Sequence, residues 1–204
     1  MFPKTIPMFS KCFYVNKINI DAQKILKNID NKFVLSGEAN RPNLSETSVE
    51  KNVLNKVKWK ALKNLIMKEL KTYTEDILEY ENTFKMTTSW FTNSEPNKES
   101  EYHCHKNSMI SCCLYIQCNQ DSGNISFINY KLDDMFQLKP KRYNGYNNDR
   151  YEFIPQPGMI IFFPSQIHHK ILRNQSNLVR YSLACNFIPT GDIYYKDSDS
   201  YLKI

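Results

Sequence analysis

The chain has 204 residues, of which 41% are apolar, with twelve Phe and thirteen Tyr. That suffices for the core of one domain, and its net charge of +6 allows an acidic partner without demanding one. No apolar stretch approaches the roughly 20 residues that span a bilayer. Met1 to Ser10 lacks an apolar secretory segment, so a cytoplasmic location is expected (host cytoplasm if the gene is carried by a phage). The six cysteines, 12, 104, 112, 113, 118 and 185, form no Cys-x-x-Cys pair. Reduced thiols filling the core are expected, with adjacent Cys112 and Cys113 facing opposite sides of a strand.

In chain order, a short strand is expected near Cys12 to Val15. A short helix then runs from Ile20-Asp21 to Ile29, with Ala22, Ile25, Leu26 and Ile29 on one face. Residues 35 to 52 read as a polar loop, and Asn43-Leu44-Ser45 could cover a site mouth or simply connect elements. A long helix is expected over about 57 to 80. Leu62, Leu65, Ile66, Leu70, Tyr73 and Ile77 form its apolar stripe, and lysines 56, 58, 60, 63, 68 and 71 are read as a solvated face.

From Phe84 the pattern becomes β. Strands are expected at 84–93, 101–105, 110–118, 124–130, 151–155, 158–163, 168–173 and 178–188. Asp121-Ser122-Gly123-Asn124 and Pro157-Gly158 are turn signals. Residues 131 to 150 form a polar, tyrosine-containing insert that could border a substrate groove, and the tail from Thr190 reads as loosely ordered. Helices followed by about eight short strands suggest an α+β, mainly β chain. The expected fold is a double-stranded β-helix (jelly roll) buttressed by N-terminal helices. Within one domain, 1–204, residues 1–82 would be the buttress, 83–190 the core and 191–204 the tail.

All four histidines fall in two places, His103-x-His105 and His168-His169. Residues i and i+2 of a strand face one side, so one strand can aim two imidazoles at one metal while a distant strand brings a third. Of His168 and His169, alternation puts one inward without saying which. Arg180 lies in Val179 to Cys185, otherwise a buried-looking strand, and a buried guanidinium needs an anion. A carboxylate gripped by Arg180, with Ser182 on the same side, is one reading; a structural ion pair or an exposed edge is the other.

These residues resemble the 2-oxoglutarate- and Fe(II)-dependent oxygenases, in particular members from phages and marine bacteria related in fold to prolyl hydroxylases. The likeness is carried by Ser89-Trp90-Phe91-Thr92, His103-Cys104-His105-Lys106-Asn107-Ser108, Pro157-Gly158 through Ile161-Phe162-Phe163-Pro164-Ser165, and Arg180-Tyr181-Ser182-Leu183-Ala184-Cys185-Asn186. It covers about residues 45 to 190. The resemblance implies His103 as first metal ligand, and His105 where the superfamily usually has Asp or Glu. Phe-Phe-Pro-Ser precedes the distal ligand in related sequences, which selects His169. Arg180 matches the arginine that binds the distal carboxylate of 2-oxoglutarate, with Ser182 beside it and Tyr115 as a second partner or a core tyrosine. Trp90 lines the substrate side or packs in the core.

The implied activity is a dioxygenase using Fe(II) and 2-oxoglutarate to hydroxylate a C–H bond, with a protein or peptide as first substrate and a small molecule as second. Three imidazoles in place of two and a carboxylate leave the metal its full charge. Zinc is therefore an option, and Glu101, on the same strand side as His103, could substitute. A cupin-type enzyme fits less well, since Met109 and Ile110 stand where a cupin has Glu. A non-catalytic metal-binding or partner-binding jelly roll is the main rival. Nucleic-acid binding rests on mild basicity alone, and no membrane partner is expected.

Overall fold

The computed structural model describes residues 10–30, 32–35, 43–129 and 138–204. The expectations for Met1 to Ser10, for residues 36–42 of the polar loop and for 131–137 of the insert fall largely outside them. Strand β1 is Tyr14–Lys17, helix α1 Ala22–Asn28, and strands β2 and β3 are Phe33–Leu35 and Glu46–Ser48. Helix α2 is Lys60–Lys71. Eight further elements follow in chain order: β4 Thr83–Ser94, β5 Ile110–Gln117, β6 Ile125–Ile128, β7 Arg150–Phe153, β8 Met159–Pro164, β9 His168–Ile171, β10 Arg180–Thr190 and β11 Asp192–Ile193. A last strand, β12, is Leu202–Lys203.

The strands form a seven-stranded sheet in the order β1-β8-β5-β10-β4-β3-β2 and a three-stranded sheet in the order β7-β6-β9. The chain is thus mainly β with an N-terminal helical backing, a jelly roll of two facing sheets. Alternation along the four central strands sends every second side chain to each face. Phe91, Cys112, Leu114, Ile116, Ile160, Phe162, Leu183, Cys185 and Phe187 face the helices, where α2 contributes Leu62, Ile66 and Leu70. Fully burying such a side chain stabilises the fold by about 1.5–3 kcal/mol. The other face carries Cys113, Tyr115, Ile161 and Phe163, which pack with Ile125 and Phe127 of β6 between the two sheets. Cys112 and Cys113 thus enter different cores, and all six cysteines are free thiols.

Local chemistry explains the boundaries. The Asp21 side chain accepts from the Lys24 N–H at 2.9 Å and caps α1. The long helix expected over 57 to 80 is α-helical only in α2. A 3₁₀ turn precedes it and a π-helical stretch, Thr72–Ile77, follows, where the Thr74 hydroxyl bonds back to the Leu70 carbonyl at 3.0 Å. Gly158 has φ +80°, and a Cβ there would meet the Ile18 carbonyl oxygen at 2.5 Å, so the Pro157-Gly158 turn tolerates no side chain.

Three expectations are corrected. The span 35 to 52 is not all loop: β3 sits between β2 and β4, its Thr47 opposite Thr92. The tail is tied down by pairing of β11 with β12 and by Tyr201 Oη donating to Asp192 at 2.7 Å. Residues 101–105 form no strand, because their backbone pairs at one point only, the His103–His169 bridge.

Candidate metal centre and buried guanidinium

His103, His105 and His169 each offer a ring nitrogen, and the three atoms lie within 4.8 Å of one another. The ring centroids are 5.3 Å apart for His103 and His105, 4.4 Å for His103 and His169, and 5.1 Å for His105 and His169. The convergence does not come from a regular strand. His103 N–H donates to the His169 carbonyl at 3.0 Å and His169 N–H returns to the His103 carbonyl at 2.9 Å, which locks the two residues face to face. His105 N–H donates to the Ser165 carbonyl at 2.9 Å, fixing the second imidazole over β8. His169 is the inward member of its pair; His168 is not in the cluster. No carboxylate of the described residues joins the set, Glu101 included.

Each ring is oriented through Nδ1. His103 Nδ1 meets the Glu101 carbonyl at 2.9 Å, and His169 Nδ1 meets the Ile167 carbonyl at 3.0 Å. His105 Nδ1 meets Asn186 Oδ1 at 2.6 Å and Ser111 Oγ at 2.9 Å. Asn186 Nδ2 donates to Thr88 Oγ1 at 3.0 Å, so its oxygen faces the imidazole. A carbonyl oxygen can only accept, so all three rings carry a proton on Nδ1, which leaves Nε2 as the atom free to meet a metal. This pattern orients and polarises metal-ligating histidines. Burial pushes His105 down to about 4, with the Asn186 hydrogen bond opposing and nearby His103 adding, and holds His169 well below the usual histidine range. Both rings are neutral at pH 7, as a metal ligand must be. Three imidazoles suit a first-row divalent ion such as iron, zinc or nickel.

A cavity of about 520 Å³ opens beside this cluster. Thr88, Trp90 and Thr92 of β4, Ser182 and Ala184 of β10, and Ile125, Phe163 and Ile171 line it around the histidines. Trp90 therefore faces the cavity, its ring 5.5 Å from that of His105. Ser45 also lines it, and the expected mouth segment reaches the site through that residue.

At the far end of the inner face lies Arg180, fully buried. Its Nη1 donates to the Ser122 carbonyl at 2.9 Å and the Gly123 carbonyl at 3.4 Å, and its Nη2 to Ser94 Oγ at 2.6 Å. Nε has no partner. Among the described residues no carboxylate forms an ion pair with it. Burial pulls the guanidinium below its ordinary value, opposed by Tyr115, Cys113 and Cys118. The Tyr115 hydroxyl is also buried without a partner, and burial pushes it well above the ordinary tyrosine range. Ser182 stands opposite Tyr115 in the β10–β5 register. The inner face thus carries a desolvated cation and two orphaned donors next to a cavity, an arrangement that suits an anion.

Sequence reading gave no role to Asn186, Ser111, Ser94 or Ser122. Asn186 lies within a quoted motif, and its polarity beside the apolar Phe187 was the available signal. Alternation along β10 puts Asn186 on the same side as Ser182 and Ala184, where its amide meets His105. The roles of Ser122 and Gly123 depend on their backbone carbonyls, which no side-chain pattern reveals.

A protein family described as "Putative 2OG-Fe(II) oxygenase" matches residues 88–186. No curated protein matches the chain by sequence. Among solved structures, a Pseudomonas putida prolyl-4-hydroxylase is 15% identical with a TM-score of 0.56, over 87% of this chain and 93% of that one. A Trichoplax adhaerens prolyl hydroxylase, solved with a hypoxia inducible factor peptide fragment, is 12% identical with a TM-score of 0.60, over 86% and 83%. HygX from Streptomyces hygroscopicus, solved with nickel, 2-oxoglutarate and hygromycin B, is 10% identical with a TM-score of 0.59, over 88% and 84%. At these identities the structural likeness speaks for the fold. The matched segment, just under half of the chain, is similar to that oxygenase family, and the site lies within it.

Proposed function

We propose that the chain is a dioxygenase that hydroxylates a C–H bond, with a protein or peptide side chain as first candidate substrate and a small molecule as second. The observation that carries this reading is the presence of two unfulfilled groups on one side of the sheet, the histidines lining the cavity and Arg180 two residues before Ser182, which also lines it. Three imidazole nitrogens converge beside the cavity, and a carboxylate-free guanidinium is buried further along β10. A dicarboxylic acid that chelates a metal through one end and an arginine through the other fulfils both.

In this reading His103, His105 and His169 hold the metal by Nε2. Asn186 and the Glu101 and Ile167 carbonyls keep the rings aimed. Arg180 takes the distal carboxylate, to which its free Nε–H and the unpartnered Tyr115 hydroxyl can donate, with Ser182 at the cavity wall. Bound iron and 2-oxoglutarate would supply the oxidation with O2 as oxidant, one oxygen atom entering the substrate C–H bond as a hydroxyl and the other entering succinate as CO2 is lost. The dianionic acid offsets the charge that a third imidazole, in place of a carboxylate, leaves on the metal. Phe163, Ile125 and Ile171 shed water from the reacting end, and Trp90 and Thr88 border the approach. The prolyl hydroxylase neighbours support a peptide substrate and HygX a small one.

The test is conversion of 2-oxoglutarate to succinate by the Fe(II)-loaded protein, slow without prime substrate. Arg180→Met should raise the 2-oxoglutarate concentration needed by about ten- to a hundredfold, the equivalent of one charged hydrogen-bonding partner, while sparing metal affinity. A second reading is favoured by the missing carboxylate ligand: a metal-binding jelly roll without turnover. That protein would bind metal and yield no succinate.

A further inference from the structure

The three rings are not held alike. His103 and His169 each rest on the backbone carbonyl two residues back, that of Glu101 and that of Ile167. His105 rests on side chains. Its Nδ1 meets Asn186 Oδ1 at 2.6 Å and Ser111 Oγ at 2.9 Å. From Ser111 a row of hydroxyls continues. Ser165 Oγ lies 2.8 Å from Ser111 Oγ, and Ser165 donates to Ser108 Oγ at 2.9 Å. Ser111 belongs to β5, Ser165 directly follows β8, and Ser108 lies in the segment before β5. Ser111 and Ser165 are fully buried, where an unpartnered hydroxyl is costly, so each member of the row depends on the next.

The protons of this row run one way. The Ser108 hydroxyl donates to the Ile110 carbonyl at 2.9 Å, with the Phe187 carbonyl at 3.1 Å, so toward Ser165 it can only accept. Ser165 gives its proton to Ser108 and can only accept from Ser111. The one proton of Ser111 goes to Ser165 or to Asn186 Oδ1, 2.8 Å away. On either course it points away from the imidazole, and an oxygen lone pair faces His105. Asn186 is turned in the same sense, because its Nδ2 donates to Thr88 Oγ1 at 3.0 Å. His105 Nδ1 thus sits against two acceptors. Ser165 also holds the backbone, its carbonyl taking the His105 N–H at 2.9 Å.

We propose that Ser108, Ser165 and Ser111 are positioning residues for the metal centre. With Asn186 they present only acceptors to His105 Nδ1, which holds the ring's proton there and leaves Nε2 to the metal. A ring protonated on Nε2 would carry a hydrogen where the metal must sit. Their role rests on the three-histidine metal site above, whose second ring they aim.

Long-range proton–nitrogen NMR on the metal-free full chain reads which ring nitrogen carries the proton, at about pH 8, above the ordinary histidine value near 6.5. His105 should show Nδ1–H alone. Asn186→Leu should keep that state, because Ser111 still passes its proton to Ser165. Adding Ser165→Ala frees Ser111 to turn and donate to Nδ1, so an Nε2–H signal should appear. His103 and His169 should keep Nδ1–H throughout, which marks each variant as folded. Nε2–H in the unaltered protein, or no change on adding Ser165→Ala, would overturn the proposal.

Co(II) titration, followed by visible absorption, reads the same residues at the metal. Ser165→Ala should weaken Co(II) binding about fivefold, the worth of one neutral hydrogen bond. Asn186→Leu should weaken it by about ten- to a hundredfold, whereas acceptor-only Asn186→Asp should bind at least as tightly as the unaltered protein. Equal losses in Asn186→Leu and Asn186→Asp, or full affinity in Ser165→Ala, would contradict the positioning role. A chain that takes up no Co(II) yet holds His105 as Nδ1–H would sink the metal reading and uphold the oriented serines.

Discussion

Strand β10 has two faces with opposite characters. Leu183, Cys185 and Phe187 are fully buried against the helix-backed core. Arg180, Ser182, Ala184 and Asn186, the residues between, face the second sheet and its cavity. The helix side is apolar. The cavity side holds a buried cation with an orphaned Nε, a tyrosine with an orphaned hydroxyl and two neutral histidines held far from their ordinary titration range. A two-residue period thus separates stability from chemistry along one segment: one face supplies the burial that holds the other face's unfavourable groups in place.

Substitutions on the two faces should therefore fail in different ways. The largest effect is expected on the cavity side. His169→Ala removes the ring locked to His103 and should abolish metal binding in equilibrium dialysis, whereas His168→Ala should preserve it. The reverse result would break the assignment of the inward ring. On the helix side, Phe187→Ala should lower unfolding free energy by about 3–5 kcal/mol in a denaturant titration while leaving metal affinity of the folded protein unchanged. Comparable loss of metal affinity would show that the faces are not independent. Asn186→Ala should weaken metal binding by about ten- to a hundredfold with little change in stability, because it frees the His105 ring to rotate. A purely structural Asn186 would move stability instead.

The smallest effect is pH dependence. The folded values of His105 and His169 lie below the unfolded value near 6.5, so the unfolded chain binds the extra protons as pH falls. Stability of the metal-free protein is fully present above about pH 6.5. It should decline below that by up to ~1.4 kcal/mol per pH unit for each of the two rings, flattening for His105 as pH approaches about 4. His105→Gln should reduce that slope; an unchanged slope would mean other groups set it.

Much of this architecture is legible in the chain. Alternation in 110–118 and 178–188 gives two central strands, and the Asp121-Ser122-Gly123-Asn124 turn falls where expected because Gly123, at φ +85°, lies against the Leu172 carbonyl where a side chain would collide. The spacing of His103 and His105 pointed to convergence, but a strand was the wrong vehicle. A one-point bridge and a carbonyl on β8 hold those residues, and such long-range backbone contacts leave no local pattern. The same limit hid β3, whose few residues pair through tertiary contact, and the Arg180 partners, which are carbonyls of a turn. Asn186 sat in view on the cavity side of β10, but its partner His105 comes from a segment with no regular pattern, so the contact could not be read locally.

The most direct measurement is anaerobic addition of Fe(II) and then 2-oxoglutarate to the purified protein, followed by visible absorption. A new charge-transfer band should appear only after the second addition. It should be absent in His169→Ala and shifted to higher 2-oxoglutarate concentration in Arg180→Met. No band in the unaltered protein, or the same titration in all three, would contradict a metal held by His103, His105 and His169 with a dicarboxylic acid anchored on Arg180.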